Sequence, residues 1–290
     1  MPPPAILSIQ SHVAFGHVGN AAAVFPMQRL GYEVWPIHTV MFSNHTGYPS
    51  FRGPVFAPDD LARVVLGMDE RGVFGGCAAV LSGYMGTPAL GEVILDAVAR
   101  VRAASPAAFY CCDPVMGDVG RGVFVRAGIP EFMAARAVPA ARVVTPNQFE
   151  LELMTGTRTD TLAAALAATA MLRAGGPEWV LVTSLIRSDA PDDAIEMLLA
   201  GADGAWLIRT PRLEFPIAPN GSGDATTALF LAHLLRHGSG QAALEAATEA
   251  IYAIFEATAA AGTRELQLIA AQDAIASSRP GGRFRAAKVA

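Results

Sequence analysis

The chain has 290 residues, of which 52% are hydrophobic and 16% are charged. A chain of this length and composition has enough apolar surface to bury a large core, which excludes intrinsic disorder. The 21 Lys and Arg residues against 26 Asp and Glu residues give a net charge of −5. Because no dense basic run is present, duplex nucleic acid is not expected as a partner.

Three cysteines, Cys77, Cys111 and Cys112, are an odd number, and two of them are adjacent in an apolar run. This pattern is typical of reduced, buried thiols rather than of a disulfide framework. The segment Met1–Ile9 lacks the basic region of a signal peptide. No stretch reaches the roughly 20 apolar residues of a membrane span. We therefore expect a cytoplasmic protein that does not bind a membrane.

Most of the chain alternates short apolar runs with longer helical patterns. The predicted strands are Ile6–Gln10, Val34–Val40, Ala78–Ser82, Ala108–Cys112, Val143–Thr145 and Val180–Thr183. The predicted helices between them are Gly19–Leu30, Asp59–Met68, Leu90–Ala103, Ile129–Ala135, Gln148–Met154 and Thr161–Arg173. Near-continuous apolar strands that alternate with helices predict βαβ units and a parallel sheet covered on both faces.

The pattern changes in the last third of the chain. Short strands are predicted around a turn at residues 202–204, and they indicate an antiparallel edge: Ile195–Leu199, Ala205–Arg209 and Leu213–Phe215. Three helices are predicted next: Ala225–Arg236, Ala242–Ala261 and Glu265–Ala276. The Pro-, Gly- and Arg-rich tail from Arg279 is expected to fray. Since we find no repeat and no linker, we expect one α/β domain over residues 1–290.

The segment Asn220–Asp224 places glycines and a carboxylate directly before an apolar helix. Backbone amides of Gly221, Ser222 and Gly223 at a helix start are suited to an anion. Asp224 at the same end is placed to accept a proton from a hydroxyl group. Alternatively, Asp224 is a helix N-cap and the glycines form a turn. The spacing matches neither a Walker A loop nor a dinucleotide-binding glycine motif.

Carboxylates follow two of the predicted strands. Asp113 and Asp118 come after the strand that ends at Cys112, and oxygen ligands at a strand end suit Mg²⁺. A turn that ends the strand is the alternative interpretation of Asp113. Asn147 and Glu150 have the spacing of a capping box, which is compatible with a further role of Glu150 in holding Mg²⁺ or its water.

Hydroxyl, aromatic and imidazole side chains follow the other predicted strands. Thr183 and Ser184 either bind phosphate oxygens or begin a turn. Three polar segments suit a flat heteroaromatic ligand, which needs a stacking ring and a few directed polar groups: Gln10–His12, Phe42–Tyr48 and Ser82–Tyr84. Each histidine in this region is, taken alone, more simply a structural one, and no histidine or cysteine spacing predicts zinc.

Taken together, these segments resemble the pyridoxal kinases of the ribokinase-like superfamily, in order from residue 5 to about residue 275. The runs that carry the resemblance are Ser8–Val13, Gly16–Asn20, Phe42–Tyr48, Leu81–Tyr84, Cys112–Asp118, Thr145–Glu150 and Gly221–Asp224. The resemblance implies a three-layer α/β/α sandwich with a mostly parallel central sheet and an antiparallel edge. It also implies ATP-dependent phosphorylation of the 5′-hydroxyl of pyridoxal for vitamin B6 salvage, with pyridoxine and pyridoxamine as further candidate substrates.

The resemblance implies roles for single residues. Asp224 would be the general base, and the amides of Gly221–Gly223 would bind the transferred phosphoryl group. The vitamin pocket would consist of Ser11, Val18, Val40, Phe42, His45, Thr46, Gly47 and Tyr84. The nucleotide would be held by Asp113, Asn147, Glu150, Thr183 and Ser184. The metal ligands would be Asp113, Asp118, Thr145 and Glu150, with Mg²⁺ as the divalent ion and a monovalent cation (K⁺ or Na⁺) near Asp113, Thr145 and Thr183. The expected assembly is a homodimer.

One departure from the family concerns charge. Thr183 stands where some bacterial members carry a lysine, so the missing positive charge would come from Mg²⁺, K⁺ or an arginine such as Arg212. The loop at residues 118–123 would act as a flap over ATP.

Three alternative functions are a hydroxymethylpyrimidine or sugar kinase of the same superfamily, a B6-binding protein without catalysis, and a plain α/β scaffold. Tyr84 and the residues 45–48 argue against the first. Asp224 with its glycines argues against the second, because binding alone does not need a base. The co-occurrence of all these segments in one chain argues against the third.

Overall fold

The structure, a computed structural model, describes residues 3–290. The strands are β1 (Ala5–Val13), β2 (Glu33–Phe42), β3 (Cys77–Ser82), β4 (Phe109–Cys112), β5 (Gly117–Asp118), β6 (Gly122–Val123), β7 (Val143–Val144), β8 (Trp179–Leu185), β9 (Ala194–Gly201), β10 (Gly204–Pro211) and β11 (Ala287–Lys288). The α-helices are α1 (Asn20–Arg29), α2 (Pro58–Glu70), α3 (Pro88–Ala104), α4 (Ile129–Phe132), α5 (Val138–Ala140), α6 (Gln148–Thr155), α7 (Leu162–Ala174), α8 (Ser222–His237), α9 (Gly240–Ala261) and α10 (Gln272–Ser277).

The large sheet has the strand order β11-β10-β9-β8-β7-β4-β3-β1-β2. The strands from β2 to β8 in this order pair in parallel. β9, β10 and β11 continue the sheet in antiparallel pairs. β5 and β6 form a separate hairpin. The predicted parallel sheet with an antiparallel edge is therefore confirmed.

Helices cover both faces of this sheet. Neighbouring residues of a strand point to opposite faces, and the core divides accordingly. Ile6 packs with residues of α1, α8, α9 and α10 on one face. Leu7 packs with residues of α2, α3, α6 and α7 on the other. The structure is the expected three-layer α/β/α sandwich, and none of the helices within residues 3–290 has the length and hydrophobicity to span a bilayer.

Two predicted elements are wrong. Leu213–Phe215 is irregular, and β11 occupies the edge beside β10, with Trp206 opposite Lys288. Residues 265–271 are not helical, so the last helix is the short α10. Glu265 instead forms a parallel bridge with Asn220 and is buried, which fixes an extended backbone at this point.

The expectation of a frayed C-terminal tail is also wrong. The backbone amides of Gly281 and Ala286 donate hydrogen bonds to the Glu245 carboxylate, at 2.7 and 3.0 Å. The Phe284 ring is buried against Tyr252, with ring centroids 4.8 Å apart. Acceptors on α9 thus satisfy the tail's backbone, and apolar contact adds to its stability.

Candidate functional site

A cavity of about 590 Å³ lies where the carboxyl ends of the parallel strands meet the start of α8. Parallel strands end at one edge of a sheet, so residues distant in sequence meet there. Most of the predicted site residues line this cavity: Ser11, Val18, Val40, Phe42, His45, Thr46, Tyr84, Asp113, Asp118, Thr145, Asn147, Glu150, Thr183, Gly221, Ser222, Gly223 and Asp224.

Three predicted site residues lie outside the lining of this cavity. Gly47 belongs to the same loop as His45, and its amide donates to His45 Nδ1 at 3.1 Å. Ser184 lines an adjoining cleft. Arg212 is exposed after β10 and lines neither space, and its amide donates to the Asp193 carbonyl at 2.7 Å.

Asp224 lies in the first turn of α8 but does not cap that helix. The N-cap is Gly221, in the left-handed region at φ 78°. A Cβ atom at Gly221 would lie 1.9 Å from the His17 carbonyl oxygen, so only glycine fits. Asp224 Oδ2 accepts a hydrogen bond of 2.8 Å from the Gly19 amide. The N-cap interpretation of Asp224 is therefore wrong, and the carboxylate is held against the loop after β1.

Burial raises the pKa of Asp224, and the Gly19 amide opposes this shift. A carboxylate with a raised pKa is a stronger proton acceptor. The first amides of α8 have no intrahelical partner, and no side chain caps them. Together with the helix dipole, they make the start of α8, beside Asp224, suited to an anion.

Glu150 is buried and bound by backbone amides. Its Oε1 accepts from Met116 N at 2.9 Å, and its Oε2 accepts from Asn147 N at 2.9 Å. Asn147 Oδ1 in turn accepts from Glu150 N at 2.9 Å, which confirms the capping box. Burial raises the pKa of Glu150 to about 8, and the amide donors oppose this shift.

Asp113 lies between other carboxyl groups. Burial raises its pKa well above the usual value, and the charges of Glu150 and Asp224 raise it further, while a hydrogen bond from Thr227 opposes them. The Thr227 hydroxyl also bonds Thr145 Oγ1 at 2.8 Å. Three neighbouring carboxyl groups disfavour one another's charge, so a cation or a proton is required here.

Asp113 and Glu150 are the candidate ligands of a Mg²⁺ ion in this cavity. Within residues 3–290, no three His, Cys, Asp or Glu side chains form a metal cluster by themselves. Mg²⁺ usually takes one or two carboxylates and keeps waters and phosphate oxygens as its other ligands. Asp113 is suited to bind Mg²⁺ directly. Glu150, whose oxygens already accept hydrogen bonds from backbone amides, is suited to bind it through a water molecule.

The opposite end of the cavity is apolar. Val18, Val40 and Phe42 form a small cluster with Val13, and Tyr84 packs on it. The Thr39 hydroxyl donates to the Tyr84 carbonyl at 2.8 Å, which fixes the segment that carries this ring. A pocket of this kind accepts a flat aromatic ring.

His45 is neutral near pH 7. Burial lowers its pKa to about 4, and the charges of Arg121 and Arg264 contribute to the shift. Because Nδ1 accepts from the Gly47 amide, Nε2 carries the proton and is a donor. His45 lines the cavity, so this donor is available to a polar group on an aromatic ligand.

A narrow cleft adjoins the cavity on the side of β8. It shares Thr183, Ser222 and Gly223 with the cavity. Its other walls are mainly apolar side chains from β9, β10 and α9: Ile195, Met197, Ile208, Ile251 and Phe255. The cleft therefore offers an apolar slot next to the start of α8.

Arg121 and Arg126 line the cavity, and sequence reasoning missed both as site residues. Arg121 is in the hairpin of β5 and β6 and lies 4.9 Å from the Phe124 ring centroid. Burial raises the pKa of Tyr84, and the charge of Arg126 opposes this shift. Arg126 lines the same cavity as Tyr84. The signal was present in the sequence, because the predicted flap and the residues after it contain both arginines.

Comparison with known proteins gives consistent results. The phosphomethylpyrimidine kinase family pattern matches residues 76–268. The chain is 59% identical over 286 residues to pyridoxal kinase PdxY of Rubrobacter xylanophilus, covering 98% of this chain and 97% of that protein. It is 54% identical over 288 residues to pyridoxal kinase PdxY of Deinococcus radiodurans, covering 98% and 96%. Pyridoxal kinase from Leishmania donovani in complex with ADP and pyridoxamine superposes with a TM-score of 0.91 at 28% identity, covering 99% of this chain and 100% of that chain.

Proposed function

The chain belongs to the pyridoxal kinases, and we propose that it transfers the γ-phosphoryl group of ATP to the 5′-hydroxyl of pyridoxal, with pyridoxine and pyridoxamine as further substrates. One observation carries this proposal: Asp224, the uncapped start of α8 and the aromatic pocket around Tyr84 face one cavity. A kinase for an aromatic alcohol needs a base, an anion site and a ring pocket next to one another.

The vitamin is proposed to bind at the apolar end. Its pyridine ring would lie between Val18, Val40 and Tyr84, while His45 Nε2 and the hydroxyls of Ser11 and Thr46 meet its polar substituents. This orientation sends the 5′-hydroxymethyl group toward α8. The bound ring would also keep water out of the reacting end.

Asp224 is proposed to accept the proton of the 5′-hydroxyl. Transfer of a phosphoryl group proceeds through a loose transition state, so the proton leaves late and positioning matters more than basicity. The bond from Gly19 orients the carboxylate, and burial raises its pKa toward the working range.

The phosphoryl group is proposed to move across the start of α8. The amides of Gly221, Ser222 and Gly223 would stabilise the negative charge on its oxygens, because no side chain caps this helix start. Arg121 and Arg126 would supply the positive charge that Thr183 lacks, because both line the cavity and Arg212 does not.

The nucleotide is proposed to extend from the cavity into the adjoining cleft. Thr183 and Ser184 would bond phosphate oxygens, and the adenine ring would lie against Met197, Ile251 and Phe255. The cleft shares Ser222 and Gly223 with the cavity, so a ligand that spans both brings its terminal phosphate to α8.

Cations complete the proposed site. Mg²⁺ would be held by Asp113 directly and by Glu150 through water, with Asp118 at the mouth. When bound, it neutralises charge on the β- and γ-phosphate oxygens. A monovalent cation, K⁺ or Na⁺, would lie near Asp113, Thr145 and Thr183, as the family resemblance implies. We propose a homodimer on the same basis, and sedimentation equilibrium tests it.

The second candidate substrate is hydroxymethylpyrimidine, because the family pattern that matches the chain is that of phosphomethylpyrimidine kinase. The deciding experiment measures ADP formation with pyridoxal, pyridoxine, pyridoxamine, hydroxymethylpyrimidine and ribose at matched concentrations. We expect the B6 vitamers to give the highest kcat/KM. A higher kcat/KM for hydroxymethylpyrimidine would overturn the assignment, and binding of pyridoxal without any ADP formation would favour a non-catalytic binding protein.

A further inference from the structure

A short segment between α9 and α10, residues 263–265, touches several loops of the site without lining the cavity; we call it the strap. Its central contact is the carboxylate of Glu265, which is buried at 8% exposure. Oε1 of Glu265 accepts a hydrogen bond of 2.8 Å from the Tyr48 hydroxyl. Oε2 accepts a hydrogen bond of 3.0 Å from the His17 amide. One side chain therefore joins the loop after β1 to the loop after β2.

Arg264 contacts the loop after β2 and a third region of the site, the residue before Gly221. Its guanidinium lies 4.4 Å from the Tyr48 ring centroid, and Nη1 donates to the Gly47 carbonyl at 3.3 Å. Nη2 donates to Asn220 Oδ1 at 3.2 Å, and the Arg264 carbonyl accepts from Asn220 N at 3.2 Å. The strap thus also holds the residue that precedes Gly221.

The segments held by the strap carry the groups proposed to act on the substrate. Tyr48 follows His45 and Thr46, which line the cavity. His17 precedes Gly19, whose amide orients Asp224. Hydrogen bonds to a charged acceptor are stronger than neutral ones. The buried carboxylate of Glu265 therefore holds both loops in place.

The backbone is adapted to this close approach. A Cβ atom at Gly16 would lie 2.1 Å from Glu265 Oε2, and the φ of 90° at this position favours glycine. Desolvation and the Glu265 carboxylate raise the pKa of Tyr48, so its hydroxyl stays protonated and is a donor at neutral pH. Both features maintain the contact with Glu265.

We propose that Glu265 is a positioning residue that, through Tyr48, holds the loop after β2 against the bound vitamin. This inference rests on the proposed function for its substrate and on the contacts above for its geometry. Within residues 3–290, the side-chain hydrogen bonds of Arg264 and Glu265 to the site reach His17, Gly47, Tyr48 and Asn220, none of which lines the cleft proposed for the nucleotide. A residue of this kind therefore affects binding of the vitamin and leaves binding of ATP unchanged.

The test compares Tyr48→Phe, Glu265→Gln and the double variant with wild type. Tyr48→Phe removes one hydroxyl and keeps the ring under Arg264, so the fold is retained. We expect Tyr48→Phe to raise the KM for pyridoxal roughly tenfold, which is usual for loss of a hydrogen bond to a charged acceptor. The KM for ATP should stay within about twofold of wild type, and the double variant should add little to either single change.

Hydrogen exchange tests, without any substrate, whether the contact between Glu265 and Tyr48 holds the loop after β2. Amides at residues 44–50 should exchange faster in Tyr48→Phe and in Glu265→Gln than in wild type. The matched control is Glu92→Gln on α3, which removes a carboxylate from a surface ion pair with Arg136. Neither residue lines the cavity or the cleft. This control should leave both the exchange at residues 44–50 and the KM for pyridoxal unchanged.

Two results would overturn the inference. One is exchange at residues 44–50 that is the same in wild type and in both single variants. The other is an equal rise of KM for pyridoxal and ATP, which indicates general damage instead of positioning. If the variants exchange faster than wild type at residues 44–50 but the wild-type protein phosphorylates no B6 vitamer, the proposed function fails and the role of Glu265 in holding this loop stands.

Discussion

The amide of Gly19 donates a hydrogen bond of 2.8 Å to Asp224 Oδ2 and so connects two parts of the chain that are 205 residues apart. Gly19 is in the left-handed region at φ 55°, and a Cβ atom there would lie 2.2 Å from the Ser11 carbonyl oxygen. The loop after β1 therefore approaches α8 as closely as it does because this residue is glycine. The orientation of the proposed base depends on this contact.

Gly19→Ala is predicted to lower kcat. The new methyl group would clash with Ser11 and push the amide away from Asp224, so the carboxylate loses its orientation. Misplacement of a reacting group by about 1 Å costs roughly 10²-fold in rate. Steady-state measurement of pyridoxal phosphate formation checks this value.

The matched control for this change is Gly31→Ala. Gly31 also has a positive φ, 87°, but nothing lies within 4 Å of a Cβ atom there. The control therefore carries the backbone strain without the clash, and its kcat should remain close to wild type. If both variants lose activity equally, backbone strain and not the contact with Asp224 explains the loss.

Phe255→Ala is predicted to weaken ATP binding selectively. Phe255 lines the cleft proposed for adenine and lies on α9, away from the apolar pocket around Tyr84. Loss of the contact between the Phe255 ring and the adenine ring should raise the KM for ATP roughly three- to tenfold. Initial rates at varied ATP and fixed pyridoxal measure the KM for ATP. The control is Val64→Ala, which shortens an exposed side chain. A rise of the KM for pyridoxal instead of ATP would contradict the assignment of the cleft.

The sequence was sufficient to predict the sheet and most of the cavity lining. Motifs such as Asn147–Glu150 and Gly221–Asp224 are short, and their local geometry follows from local rules for caps and glycine turns. Because each stands at a strand end or helix start, the parallel topology brings them together. Periodicity and local motifs therefore predicted the place, and the family resemblance supplied the roles of the individual residues.

Contacts between distant segments could not be predicted in this way. Glu265 bonds Tyr48 across 217 residues, and its pattern in the sequence favours a helix. The tail carries Pro and Gly residues that indicate fraying, yet Glu245 and Glu249 on α9 accept its amides. In both cases the partner that decides the structure is remote, and no local propensity encodes it.

The stability of the protein is predicted to fall in acid through His233. This residue of α8 is fully buried, and its Nε2 lies 2.9 Å from Ser278 Oγ. Burial, with the charges of Arg236 and His237, lowers the pKa of His233 from 6.5 to about 3. Because the pKa of His233 is lower in the folded protein than in the unfolded chain, the unfolded chain binds this proton first as pH falls. The stabilisation is therefore complete above pH 6.5 and is lost as pH falls toward 3.

Urea denaturation between pH 4 and pH 7.5 measures this effect. One proton per molecule corresponds to a slope of about 1.4 kcal/mol per pH unit in the free energy of unfolding. His233→Gln keeps a partner for Ser278 and does not titrate, so its slope below pH 6.5 should be smaller by up to that amount. An identical slope in wild type and variant would show that other groups cause the acid sensitivity.

The account depends most on the role of Asp224, which a rapid-quench measurement of pyridoxal phosphate formation from pyridoxal, ATP and Mg²⁺ tests directly. Asp224→Asn keeps the shape of the side chain and removes the proton acceptor. We predict a single-turnover rate about 10²- to 10⁴-fold below wild type, with the dissociation constant for pyridoxal nearly unchanged. A variant that keeps more than half of the wild-type rate would contradict the assignment of Asp224 as the base.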